Sequence, residues 1–88
     1  MQNPAWQAFV DKLLQLKTKE QLNEFLNVLL TLSEIDELSK RHAIICALLR
    51  NDKTQREIAR DLKVSIANVS RGANELKTCS DQVKEMFL

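Results

Sequence analysis

The chain has 88 residues and a net charge of +1, from 13 basic against 12 acidic side chains. That reads as one small domain, residues 1–88, whose overall charge neither demands nor excludes nucleic acid. Hydrophobic residues make up 44% of it, with one glycine and one proline; this favours helices and supplies more apolar surface than a monomer of this size hides, so pairing with a second copy is one outlet. Cys46 and Cys79 fit no metal or redox spacing and read as reduced thiols, no apolar run approaches the roughly 20 residues of a membrane span, and no charged leader precedes an apolar core, so the chain reads as cytoplasmic.

Helix starts are well marked. Asn3-Pro4 gives an N-cap followed by proline at the first helical position. Trp6, Phe9, Val10, Leu13 and Leu14 then recur at i, i+3, i+4, i+7 and i+8, one face of a helix. Thr18 with Gln21 forms a capping box for a second helix carrying Leu22, Phe25, Leu26, Val28, Leu29 and Leu30. That helix is apolar most of the way round by its end, as suits either the centre of a monomeric core or a helix shared between two chains. Thr31 with Glu34 starts a long helix with Ile35, Leu38, Ile45, Leu48 and Leu49 as its apolar stripe, closed by Asn51 in a left-handed cap. Thr54 with Glu57 opens a short helix, Ser65 caps the next, and Ser80 caps a last one carrying Val83, Met86 and Phe87. The fold class is all-α, with about six helices.

Residues 54–77, TQREIARDLKVSIANVSRGANELK, break a good helix at Lys63-Val64-Ser65 and rebuild it at once. Ile58 and Leu62 point inward from the first piece, Ile66 and Val69 from the second, with Ala73 or Leu76 as further inward positions. Ala59 is small where the two helices cross, and Val64 can plug the space between them. A short helix, a tight turn and a second helix of this kind make a helix-turn-helix, about 55–77, which delivers a helix to the DNA major groove. The turn lacks the usual glycine; a left-handed Lys63 there would cost roughly 1 kcal/mol. Gln55, Arg56, Arg60, Lys63, Ile66, Ala67, Asn68, Ser70, Ala73 and Lys77 are the candidate DNA-facing residues. The cations among them suit phosphates, and Asn68 and Ser70 suit base edges.

Arg71-Gly72-Ala73-Asn74-Glu75-Leu76-Lys77, preceded by Gln55-Arg56-Glu57, resembles the bacterial tryptophan repressor family. Leu29-Leu30-Thr31 with Glu34, Leu38 and Arg41 fits in the same order and spacing, as does the helix from Trp6 to Leu14. The resemblance covers nearly the whole chain, and Thr31 to Lys77 is its specific part. It implies an intertwined homodimer of six-helix chains whose paired reading heads grip successive major grooves of operator DNA. It also implies repression activated by L-tryptophan as corepressor, controlling tryptophan biosynthesis or uptake. The indole would lie beside Gly72, with Arg71 and Arg41 as walls. Thr31 and the backbone near Val28 and Leu30, from the partner chain, would close the pocket. Gly72 otherwise has a packing explanation, since glycine inside a helix costs about 1 kcal/mol relative to alanine and needs a reason.

The chain departs from the family at Glu75, where members commonly carry a serine that helps hold the ligand's ammonium group. A carboxylate there would grip the ammonium through a charge-assisted bond, or fold inward onto Arg41 or Arg71 and fill the slot. Ala73 replaces a family serine, and Asn68 and Ser70 replace threonines, so the operator sequence is expected to differ. His42, the lone histidine, reads as a partly buried packing residue. Nothing suggests an enzyme, a metal or a catalytic cofactor. Two rival functions stay open: a DNA regulator of the same fold that needs no tryptophan, and a dimeric helical protein-interaction module.

Overall fold

The computed structural model describes residues 3–88. Among the described residues there are six helices and no strand: α1 Pro4–Gln15, α2 Lys19–Leu29, α3 Leu32–Arg50, α4 Gln55–Leu62, α5 Ile66–Lys77 and α6 Asp81–Glu85. They form two compact units, the first ending at Leu32 and the second spanning Ser33–Leu88.

In the first unit α1 starts as its sequence dictates. Asn3 Oδ1 accepts from the Ala5 and Trp6 N–H groups at 3.1 and 3.2 Å, and Pro4 takes the first helical position. Thr18 accepts from the Gln21 N–H at 3.1 Å. The return bond differs from the expected box: Gln21 Oε1 accepts from Lys17 N–H at 2.8 Å, one residue earlier than the cap. Trp6, Phe9 and Phe25 pack in sequence, with ring centroids 5.4 and 6.0 Å apart. Neither α1 nor α2 contributes a fully buried residue.

The second unit carries the core: Ile44, Ile58, Ala59 and Val69, with Ala47, Leu48, Leu62 and Val64 packed against it. Burying a side chain such as Val69 contributes about 1.5–3 kcal/mol. Val64 plugs the turn as expected. Ile44, the one buried residue of α3, was outside the expected stripe. Residues 43–49 are apolar on every side, so helical periodicity selects no face there. Leu38, inside the expected stripe, is exposed, and so is Ile66, read as inward.

Among the described residues two non-glycines are left-handed, and each closes a helix: Asn51 at φ 55° after α3 and Lys63 at φ 57° after α4. At the second break Lys63 N–H donates to Arg60 O at 3.3 Å and Val64 N–H to Ala59 O at 3.0 Å, satisfying the carbonyls α4 leaves open. Thr54 and Glu57 complete a reciprocal capping box, Thr54 N–H to Glu57 Oε1 at 2.9 Å and Glu57 N–H to Thr54 Oγ1 at 3.2 Å. Ser65 Oγ accepts from Asn68 N–H at 3.1 Å and starts α5.

Candidate effector cavity and nucleic-acid interface

The tight turn after α4 redirects the chain, so that α5 packs against α4 and comes close to α3 at Gly72. Val69 is the fully buried residue of α5. Gly72 decides how close α5 comes to α3. A Cβ on it would stand 2.9 Å from Ile44 Cγ2, 3.3 Å from Leu48 Cδ1 and 3.5 Å from Ile45 Cδ1. The glycine inside a helix therefore has a packing cause, the close approach of two helices.

Beside this contact lies a cavity of about 500 Å³, within the roughly 300–1,000 Å³ typical of small-molecule sites. Glu37, Lys40, Arg41, Ile44 and Ile45 line it from α3; Asn68, Arg71, Gly72 and Glu75 line it from α5. Each set follows the i, i+3, i+4, i+7 spacing of one helical face. The isoleucines and the glycine supply an apolar floor, and two guanidinium and two carboxylate groups surround it. Lys40 is tied to Asp36 at 2.9 Å. Among the described residues Arg41, Arg71, Glu37 and Glu75 form no ion pair, so Glu75 has not folded onto either arginine.

The structure thus brings together Arg41, Arg71, Gly72 and Glu75 of the expected ligand residues. Val28, Leu30 and Thr31 belong to the other unit and are not among the lining residues. Glu37 and Lys40 were missed in the sequence. Their spacing from Arg41, four and one residues before it, held the signal, but a charged helix face is ordinarily solvated. Asn68, read as a base-edge residue, stands on the cavity wall.

The remaining DNA-facing candidates spread over α4, the turn and α5. Gln55, Arg56, Arg60, Lys63, Ile66, Ala67 and Lys77 are exposed, while Ser70 and Ala73 are half-buried. Arg60 is not wholly free: its Nε lies 3.3 Å from Asp61 Oδ1, and Lys53 Nζ holds Asp61 Oδ2 at 2.7 Å. Hydrogen bonds from Lys53 and Arg60 hold the Asp61 carboxyl below its ordinary range, and Asp61 in turn raises Lys53. The Ser70 hydroxyl donates to Gln55 Oε1 at 2.8 Å. His42 is exposed, its ring 6.0 Å from Phe87 and its Nε2 3.5 Å from Cys46 Sγ.

A model of the Trp repressor protein family matches residues 4–88. The chain belongs to the Trp repressor family. It is 39% identical over 82 residues to a Trp operon repressor homolog of Chlamydia trachomatis serovar D, covering 93% of this chain and 87% of that one. It is 35% identical over 82 residues to one from Vibrio atlanticus, covering 93% and 84% of the two chains. A third, from Photobacterium profundum, is 39% identical over 80 residues, 91% and 78% of the respective lengths. Membership makes the protein a DNA-binding transcriptional repressor, and the family is one of regulators. No described helix is long and apolar enough to cross a membrane.

Proposed function

We propose that this repressor is switched on by L-tryptophan bound in the cavity between α3 and α5, and that it works as a homodimer on operator DNA of genes for tryptophan synthesis or uptake. The observation that carries the ligand reading is the cavity itself, with an apolar floor and Arg41, Arg71 and Glu75 around it without internal ion pairs. Guanidinium planes stack on an aromatic face and bind a carboxylate. Glu75 supplies the opposite charge for the ammonium group, in place of the family's serine hydroxyl. A zwitterion with a flat apolar side chain meets each of these groups in kind.

Apolar exposure supports the dimer. Trp6 is 56%, Leu14 80%, Val28 86% and Leu32 86% exposed. The first unit is shorter than the roughly 40 residues below which a domain needs outside support. A second copy of the chain covers such surface, and Val28, Leu30 and Thr31 of that copy are the candidates to close the cavity. Ligand in the cavity fixes the angle of α5 against α3. Both recognition helices then span one turn of DNA, about 34 Å apart, as helix-turn-helix dimers of this family do. Ligand favours that arrangement only by its differential affinity for it.

The test is DNA affinity measured with and without L-tryptophan across a salt series. A ligand-dependent affinity that falls steeply with salt is the expected result, since phosphate contacts release counterions. Tight binding that ignores tryptophan would leave a DNA regulator without this effector. No salt-dependent binding would leave a protein-interaction module.

A further inference from the structure

We infer that Ser70 is a positioning residue for DNA binding: it holds the Gln55 carboxamide so that Gln55 meets the DNA backbone as a hydrogen-bond donor. This rests on the helix-turn-helix being the DNA-binding element and adds a division of labour within it. Ser70, half-buried in α5, donates its hydroxyl to Oε1 of Gln55, the exposed first residue of α4, at 2.8 Å. A serine inside a helix commonly turns its hydroxyl back to a carbonyl of its own preceding turn. Ser39 does so here, donating to Ile35 O at 2.7 Å. Ser70 instead spends its proton on the neighbouring helix.

That choice has a chemical consequence. A glutamine amide turned by half a rotation exchanges its acceptor for its donors. In the orientation observed, the hydroxyl proton goes to Oε1 and the Nε2 hydrogens are what Gln55 offers a partner. The acceptors DNA presents everywhere are phosphate oxygens, and contacts to them fix register and orientation without reading sequence. Gln55 follows directly on Thr54, the cap of α4, and a helix start is where phosphates are commonly received. The pair also links the first turn of α4 to the middle of α5. One anchored donor thereby sets the placement of the reading helix.

The experiment uses the full chain, with L-tryptophan present and absent. Its probes are a duplex selected by the wild-type protein from a randomised library and an unrelated duplex. Ser70→Ala and Gln55→Ala are each expected to weaken binding to both duplexes by about three- to tenfold per protomer, the scale of one hydrogen bond, and so by roughly ten- to hundredfold for the dimer. The double variant is expected to be no weaker than Gln55→Ala alone, because Ser70 acts through Gln55. Ser70→Thr, which keeps the hydroxyl, is expected to bind as the wild type does. Gln55→Glu, which still accepts from Ser70 but turns a negative charge to the backbone, is expected to bind less well than Gln55→Ala. Thermal unfolding of each variant separates lost stability from lost binding. Wild-type affinity in Ser70→Ala, or losses that multiply in the double variant, would overturn the inference while leaving DNA binding intact. A wild-type protein that binds neither duplex would overturn the DNA reading and the pair with it.

Discussion

Gly72→Ala isolates the contact that sets the spacing of α3 and α5. The added methyl would stand 2.9 Å from Ile44 Cγ2. Ile44 is buried, and its γ2 methyl sits on a branched β-carbon with one strongly preferred rotamer in a helix, so it cannot swing aside. The helices must separate or the side chain must strain, and overpacking of this kind costs about 1–3 kcal/mol. Alanine recovers about 1 kcal/mol of helix propensity over glycine. The net expectation is a loss of about 1 kcal/mol, with a range of roughly 0–2. For a chain of this size that lowers the melting temperature by about 4–8 °C per kcal/mol. Unfolding by heat and by urea at one fixed protein concentration measures it. In an Ile44→Ala background the nearest obstacle is gone and only the flexible end of Leu48, 3.3 Å away, must give, so Gly72→Ala should then be neutral or stabilise by up to about 1 kcal/mol. A Gly72→Ala protein more stable than wild type, with Ile44 intact, would refute the close approach.

Glu57→Gln tests the cap of α4. The Thr54 N–H and hydroxyl hold the Glu57 carboxyl below its ordinary range, so its contribution is fully present above that range and is lost as pH falls through the lowered value. Wild type should therefore lose more stability than the glutamine variant on acidification in urea titrations across a pH series; parallel curves would contradict this. Lys63→Gly should stabilise by roughly 0.5–1 kcal/mol in the same assay, because glycine adopts the left-handed φ of 57° at this position without the cost lysine bears. Arg56→Ala should lower affinity for every DNA sequence and flatten the salt dependence by about one unit per protomer, about two for the dimer. Asp61→Asn should raise affinity for unrelated DNA and steepen that dependence, since it releases Arg60 and Lys53.

Most of the fold was legible where local chemistry decides it. The caps at Asn3, Thr54, Ser65 and Ser80, and the left-handed ends at Asn51 and Lys63, need only residue types at fixed offsets. Periodicity served less well in α3, where a run apolar on all sides hid Ile44, and at Ile66, which is exposed at the start of α5. The cavity was legible in its arginines because Arg41 and the Arg71-Gly72 pair carry a family pattern. Glu37 and Lys40 were not, since only the close approach of two helices turns an ordinary charged face into a wall. The meaning of Gly72 also required coordinates: a bare backbone facing a ligand and one facing Ile44 look alike in a sequence. The Ser70–Gln55 bond joins residues fifteen apart, a pairing no local pattern signals.

The most direct test is calorimetric titration of L-tryptophan into the protein, alone and in complex with a duplex it has selected. Saturable heat is expected in both, with tighter binding in the complex by the same factor by which tryptophan tightens DNA binding, because coupling between two sites is reciprocal. Arg41→Ala and Arg71→Ala should each reduce that heat. No heat at millimolar L-tryptophan, with DNA present or absent, would contradict the assignment of the cavity to this ligand.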